Sequence, residues 1–312
     1  MKPDSTPNLK SDLTPDVSII ILNWNTRDLL AQCIDTLGQH MGSLTHEIVV
    51  VDNASTDGSQ AMLQSRYPHV RLIQNEGNVG FAAGNNRGMR ESTGRAILLL
   101  NTDAFVTEGA LQAMLRLADA QPKAGLIGAH LRNADGSFQA SFTPFPTLAR
   151  EFLILSGLGR LLLGKRFPSA DPEVEKGPQV VDYVEGAALL VRREAFEQAG
   201  GLDEGFFMYA EEVDWCYSLR QAGWQVWYQP SARIIHLGGG SSKTRRTARE
   251  ADLYRSRVRF FRKHYGLVPA AGLKALIYGS VLAKQAVHGA LRLVSGGKRG
   301  RPVTTFQQLK GL

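Results

Sequence analysis

The sequence predicts an open α/β domain, and three observations carry that expectation. Short runs rich in Val, Ile and Leu recur without polar alternation, stretches with helical spacing separate them, and each run ends in small polar residues. Val17–Leu22, Glu47–Val51, Val70–Ile73 and Ala96–Leu100 read as strands buried on both faces, as in a parallel sheet. Between them Asp28–Leu37, Gly58–Ser65 and Ala82–Glu91 have helical spacing, with Thr26 and Ser55-Thr56-Asp57 as start signals. The result is a βαβαβαβ pattern. Residues 130–180 are less regular: Phe142-Thr143-Pro144-Phe145-Pro146 breaks the periodicity, and Leu153–Leu163 reads as either a core helix or a flap. Regularity returns over Val180–Val191. A helix then runs through Gln221 with Gly223 as its stop, followed by a strand at Gln225–Tyr228 and by Ile234-Ile235-His236 before Gly238–Ser242.

The 312 residues are 43% hydrophobic, 8% aromatic and 21% charged, enough for a full core, which excludes disorder, collagen and coiled coil for most of the chain. Cys33 and Cys216 are too few for a disulfide framework or a cysteine-built zinc site, and fit two buried thiols in the cytosol. The net charge of +7 divides unevenly: residues 243–312 carry +14 and residues 1–242 carry −7. Residues 1–16 lack the apolar stretch of a secretory signal and read as a disordered lead-in. No membrane span is expected, because Pro269 and Lys274 interrupt the apolar run Leu267–Leu282. In the tail, Arg255, Arg257, Arg259, Arg262 and Lys263 alternate with Leu253, Tyr254, Val258, Phe260 and Phe261, and Leu273–Val294 is apolar and helical. Such a segment either lies on an anionic membrane surface or packs on the body with a solvated basic face. Nucleic acid is not expected, because the body is acidic and the tail lacks an interleaved aromatic platform.

Ligands of open α/β sheets sit beyond the carboxyl ends of the strands. Those ends are Asn23-Trp24-Asn25, Asp52-Asn53-Ala54-Ser55, Asn75 to Gly80, and Asn101-Thr102-Asp103. Any one could be a turn former; four together point to a polar ligand. Asp103 suits a hard cation such as Mg²⁺ or Mn²⁺, or caps a helix starting near Thr107. His236, before a Gly/Ser loop, is either structural or a metal or phosphate ligand. Glu211, Glu212 and Asp214 either cap a helix or supply a general base, with Glu211 and Asp214 on one helical face and Glu212 on another. The Gly-rich stretch Gly77–Asn86 fits neither GxGxxG nor GxxxxGK[ST], and GxSxG, HExxH and CxxC are absent from the sequence.

Taken in order, Val17–Asn25, Val49–Gly58, Asn78–Asn86, Leu99–Asp103, and Gly201-Leu202-Asp203-Glu204 leading to Glu211–Asp214 closely resemble the family 2 glycosyltransferases, rhamnosyltransferase-like branch, over residues 17–242. The resemblance implies a GT-A type α/β domain whose mixed, mostly parallel central sheet is flanked by helices. Residues 17–130 would form the nucleotide-sugar half, 131–242 the acceptor half and 243–312 a basic helical extension. It implies a nucleotide-sugar site of Asn23, Asn25, Asp52, Asn53, Asn78, Gly80, Asn85, Asn101, Thr102 and Asp103, with Asp52 on the pyrimidine base. Asn101-Thr102-Asp103 matches the Asp-x-Asp metal motif with one carboxylate remaining, Asp103, and His236 joins the Mg²⁺ or Mn²⁺ site. Glu212 is placed as catalytic base within the group of Glu211 and Asp214, and Glu185, Gly186 and Trp215 are placed as acceptor contacts. The expected activity is inverting transfer from a nucleoside-diphosphate sugar, such as dTDP-rhamnose, to a glycan or polyprenyl-linked acceptor in cell-surface polysaccharide synthesis. The expected location is cytoplasmic, peripheral on the inner face of the plasma membrane. Asn101 and Glu212 also prompt a second expectation, a non-catalytic nucleotide-sugar or glycan-binding protein.

Overall fold

A computed structural model describes residues 14–164, 167–169, 177–238, 246–294, 304–310 and 312. Most of the lead-in, all of Gly239–Ser242 and residues 243–245 lie outside the described residues. The central sheet has nine strands. Parallel strands β1 (Val17–Asn23), β2 (His46–Asp52), β3 (Arg71–Gln74) and β4 (Ala96–Asn101) form one half in the order β3-β2-β1-β4. The chain then adds β5 (Ala104–Val106), β6 (Ala124–Arg132), β10 (Ala188–Arg192) and β11 (Gln225–His236), with β10 inserted antiparallel between β4 and β6, and β11 parallel to β6. Six strands, β1–β4, β6 and β11, therefore point the same way, while β5, β8 (Gln179–Val181) and β10 oppose them. Beside the sheet, β7 (Phe142–Thr143) pairs with β9 (Tyr183–Val184).

Helices α1 (Arg27–His40), α2 (Ser59–Arg66) and α3 (Phe81–Glu91) are the crossovers of the parallel half. Two glycines bring α3 down onto the sheet: a Cβ at Gly84 would lie 2.4 Å from Leu22 Cδ1, and one at Gly88 would lie 2.4 Å from Ile20 Cγ2. One apolar core lies between the sheet and α1 and α4 (Ala110–Ala120); a second packs the opposite face against α3, α7 (Arg193–Ala199) and α8 (Glu211–Gln221). Because α4 starts at Ala110 after Gly109, and Ala104–Val106 is a strand, Asp103 caps no helix.

The stretch around Leu153–Leu163 is neither a single helix nor core. It forms α5 (Leu148–Ser156) and α6 (Leu158–Leu162), broken by Gly157 at φ +76°, with Leu161, Leu162 and Leu163 left 61–79% exposed. Val180–Val191 resolves into β8, β9 and β10, and the strand expected at Gln225–Tyr228 continues to His236.

The tail forms α9 (Arg246–His264) and α10 (Leu267–Val294). Tyr254, Val258, Phe260 and Phe261 of α9 meet Phe206 and Val213 of the body and Leu273, Ile277 and Val281 of α10 in a third core. Thus α9 is a packed helix. The expected interruption of α10 does not occur: Pro269 lies in its first turn, where the missing N–H has no intrahelical partner to lose, and Lys274 reaches the Leu312 carbonyl. Leu267–Ala290 is consequently long and apolar enough, by length and composition, to cross a membrane, and most of it is exposed.

Candidate functional site

The shared strand direction sends the ends of β1, β2, β4 and β11 to one edge of the sheet, where Leu22 pairs with Asn101 and Asn23 with Asp52. Strand β5 turns back after Asp103 and pairs with β11, setting Ala104 opposite His236. This register brings His236 Nε2 to 3.3 Å from Asp103 Oδ1. Gln139 fixes the imidazole: its Nε2 donates to Asn133 Oδ1 and the His236 carbonyl, so its Oε1 accepts, at 2.6 Å, from His236 Nδ1–H. Nε2 is thereby turned toward the Asp103 carboxylate.

Helix α8 presents the acids. Tyr209 (φ +72°) and Ala210 (φ +63°) turn the chain through two consecutive left-handed residues immediately before Glu211, a strain of about 1–3 kcal/mol each. The turn is held by neighbours: the Phe81 N–H donates to the Phe207 carbonyl at 2.8 Å, Ser256 Oγ donates to the Met208 carbonyl at 2.9 Å, and the Arg249 guanidinium lies 5.5 Å over the Tyr209 ring. Glu211 is buried, and its Oε2 has no hydrogen-bond partner among the described residues. Burial, reinforced by the neighbouring Glu212 carboxylate, raises its pKa well above the usual range. Burial also pushes Glu212 up to about 7, against the opposing pull of the backbone N–H groups at the helix start. Glu185, in the turn before β10, is pushed up to about 8 by burial and by Glu212.

Two cavities meet at these acids. One, of about 450 Å³, is lined by Asn53, Asn78, Gly80, Asn101, Thr102, Asp103 and His236, together with Glu185, Gly186, Glu211 and Glu212. The other, of about 730 Å³, lies toward α5, α6 and α9, and shares Glu185, Tyr209, Glu212 and Arg249 with the first. Glu212 thus opens to both.

Several residues assigned from sequence lie elsewhere. Asn23 and Asp52 are fully buried behind the first cavity, where the Asn23 amide donates to Asp52 at 2.7 Å and Ser55 N–H and Gln60 also donate to Asp52. Asn25 is exposed and accepts from the Thr56 N–H, while the Asn85 amide donates to the Phe81 carbonyl one turn back. Trp215 lines neither cavity: it is a core residue whose indole donates to the Gly200 carbonyl, so the acceptor-contact expectation is corrected. The pairing of Glu211 with Asp214 is also corrected. Glu211 and Glu212 both reach the cavity, whereas Asp214 is buried against α9, accepting from Lys263 at 2.8 Å and contacting His264 Nε2 at 2.7 Å. Sequence reasoning missed Gln139, Tyr209 and Arg249, while Trp24, within the first strand end it singled out, lines the cavity. Gln139 lies in an irregular stretch and Arg249 in a tail separated from the site by chain length, so neither carried a local signal.

One carboxylate and one oriented imidazole fit a divalent cation whose remaining ligands come from a diphosphate and water. Among the described residues no group of three or more His, Cys, Asp or Glu side chains could hold a metal ion unaided.

The mixed, mostly parallel sheet with a polar cavity at its carboxyl edge is a GT-A type fold, and solved structures share it. The chain aligns with GalNAc-T7 solved with UDP, GalNAc and Mn²⁺ at TM-score 0.60 and 15% identity, covering 80% of this chain and 48% of that one. It aligns with the mannosyltransferase PcManGT of Pyrobaculum calidifontis, in complex with GDP-Man and Mn²⁺, at TM-score 0.56 and 17% identity over 92% and 80%. Residues 18–200 match the model of glycosyl transferase family 2, and the chain belongs to that family. It is 34% identical over 207 residues to an N-acetylglucosaminyl-diphospho-decaprenol L-rhamnosyltransferase of Mycobacterium tuberculosis, covering 61% of this chain and 66% of that protein. It is 26% identical over 228 residues to the rhamnosyltransferase WbbL of Escherichia coli, covering 70% and 83%. The chain thus spans just under two thirds of the mycobacterial relative's length.

Proposed function

We propose that the chain is an inverting glycosyltransferase that moves a sugar, rhamnose by analogy with its relatives, from a nucleoside-diphosphate sugar to a glycan or lipid-linked acceptor in polysaccharide synthesis. The observation that carries the reading is Glu212 at the junction of two cavities, one of them ending in the Asp103–His236 pair. The smaller cavity takes the donor, its Asn53, Asn78 and Thr102 side chains offering hydrogen bonds to a polar nucleotide sugar. The acceptor hydroxyl approaches from the larger cavity and attacks the anomeric carbon. The bond to the diphosphate oxygen breaks with its electron pair, and Glu212 takes the hydroxyl proton. A single displacement inverts the centre without a covalent nucleophile.

Asp103 and His236 would hold a Mg²⁺ or Mn²⁺ ion that, when bound, neutralises charge on the departing diphosphate. Gln139 keeps His236 turned toward that place. Burial, reinforced by Glu212, raises the pKa of Glu211 and so disfavours a second negative charge beside Glu212. The proposed location is the cytoplasmic face of the membrane, with α10 as the contact. The test is hydrolysis and transfer of a panel of nucleoside-diphosphate sugars with and without Mg²⁺ or Mn²⁺, for the wild type, Asp103→Ala and Glu212→Gln. Metal-dependent turnover of one donor, lost in both variants, is expected. Tight donor binding without turnover under any condition, including a lipid-linked acceptor, would favour a binding protein instead.

A further inference from the structure

We infer that Glu211 selects the sugar of the donor: its buried carboxyl lines the smaller cavity with an oxygen that lacks a partner, and a ring hydroxyl of a bound nucleoside-diphosphate sugar supplies one. The inference rests on the transferase reading and deepens it, by naming a residue that recognises the sugar rather than one that takes the acceptor's proton.

Glu211 is 6% exposed, and among the described residues its Oε2 has no hydrogen-bond partner. A polar oxygen taken out of water and left unpaired costs free energy, so folded chains keep few of them, and one kept at a cavity wall is explained by a ligand that completes it. Other polar side chains lining the same cavity already bond within the protein. Asn53 donates to Asn78 Oδ1 and to the Gly80 carbonyl, the Thr102 and Thr26 hydroxyls are 2.9 Å apart, and His236 Nδ1 lies 2.6 Å from Gln139 Oε1. With Oε2 unbonded, the Glu211 carboxyl is free to turn: the terminal torsion of a glutamate is broad and two-fold, so either oxygen can be offered to the cavity.

The start of α8 is held on both sides of Glu211. Tyr209 and Ala210 fix the approach, and in the turn that follows Asp214 accepts from Lys263 while the Trp215 indole donates to the Gly200 carbonyl. A carboxyl on so fixed a backbone is preorganised for whatever fills the cavity. Which part of the donor it meets follows from the two cavities: Glu212 lines both, whereas Glu211 lines only the smaller. With the diphosphate toward Asp103 and His236 and the bond to be broken beside Glu212, the group on the donor side of that bond is the sugar ring. Its polar groups are hydroxyls, from which a carboxyl accepts and to which its protonated form also donates. A site built to bond a hydroxyl rejects an analogue lacking it, because its own polar group then stays unpaired.

The test is calorimetric titration of the full chain, with Mn²⁺ present, using dTDP-rhamnose, UDP-glucose and GDP-mannose, each beside its free nucleoside diphosphate, and then the monodeoxy analogues of whichever sugar nucleotide binds best. Wild type, Glu211→Leu and Glu211→Gln are compared, with circular dichroism melting as the control for folding; Glu211→Ala replaces the leucine variant should that one fail to fold. Glu211→Leu is expected to lose about 10–100-fold in affinity for the sugar nucleotide, the size of one buried hydrogen bond to a polar or charged group, while affinity for the free nucleoside diphosphate stays within about twofold. Glu211→Gln still bonds a hydroxyl and should lose less than about fivefold. One deoxy analogue should bind wild type about as weakly as the complete sugar nucleotide binds the leucine variant, and should lose nothing further in that variant. The inference is overturned if sugar nucleotide and nucleoside diphosphate weaken equally, which is the mark of a structural role, if the folded leucine variant binds the sugar nucleotide as wild type does, or if no deoxy analogue loses affinity in wild type. Failure of the transferase reading is separately visible: wild type would then bind none of the three nucleoside diphosphates, and the inference would fall with it.

Discussion

At the residue scale the reading turns on where protons and lone pairs sit. Glu212, pushed up to about 7, accepts a proton only once ionised, so kcat/KM is expected to climb with pH and level off above about 7. Glu212→Gln keeps the shape and removes the base; kcat should fall by roughly 10²–10⁴ while donor affinity, measured by titration, stays within a few-fold. An unchanged pH profile in wild type, or an active Gln variant, would move the base elsewhere. Gln139 acts one step back, through His236. Gln139→Leu should weaken Mn²⁺ activation by about 10–100-fold without changing metal-free nucleotide binding, because the imidazole loses the acceptor that turns Nε2 toward Asp103. Asp103 and His236 could be placed at one sheet edge from sequence because each is a polar residue at the end of an apolar run, whereas Glu212 was singled out from its acidic neighbours only by the family resemblance; all three line one cavity. Trp215 and Asp214 were misplaced for one reason: helical spacing gives angles between side chains, not the identity of what packs against each face, and here Asp214 meets α9.

At the element scale, contact geometry makes two stability predictions. Helix α3 approaches the sheet through Gly84 and Gly88, and Gly88→Ala would put a methyl 2.4 Å from Ile20 Cγ2 and 3.0 Å from Val51 Cγ2. It should cost about 1–3 kcal/mol by overpacking, outweighing the better helix propensity of alanine, as a denaturant midpoint would report. Arg257→Ala leaves the 2%-exposed Glu151 without its counter-charge, and a loss of about 3–5 kcal/mol is expected. Removing both partners, as Glu151→Leu with Arg257→Met, should recover most of that loss; no recovery would mean that the pair contributes beyond its mutual compensation. The strands β1 to β4 and helices α1 to α3 were readable to within a few residues, since unbroken apolar runs express burial on both faces of a strand and a 3.6-residue period burial on one face of a helix. The stretch α5–α6 was not, because Leu161, Leu162 and Leu163 are exposed and follow no buried period. Pro269 misled through position: the same residue that breaks a helix interior is harmless in a first turn.

At the scale of the whole molecule, the division of charge into an acidic body and a basic tail has a structural counterpart. Arg257, Arg259 and Lys263 of α9 reach Glu151, Asp203 and Asp214 of the body, and Phe260 and Phe261 close the third core beneath α8. The tail therefore belongs to the folding unit that carries Glu211 and Glu212. Full-length protein should unfold in one cooperative transition, and a chain ending at residue 245 should expose Phe206 and Val213 and release α8. Amide exchange over residues 206–221 is the sensitive measurement: it should be slow in the full chain and fast in the shortened one, whereas equal protection would make the tail an independent appendage. Acid should loosen the same joint. Burial raises the pKa of Asp203, but Lys263, the Gly205 N–H and Arg259 outweigh it and hold the carboxyl at about 2. A carboxyl depressed by folding stabilises the fold above its unfolded value near 4 and loses that contribution as pH falls toward 2. Protection over α8, exchange corrected for its intrinsic pH dependence, should accordingly fall between about pH 4 and 2 in the full chain, and Asp203→Asn should flatten that dependence.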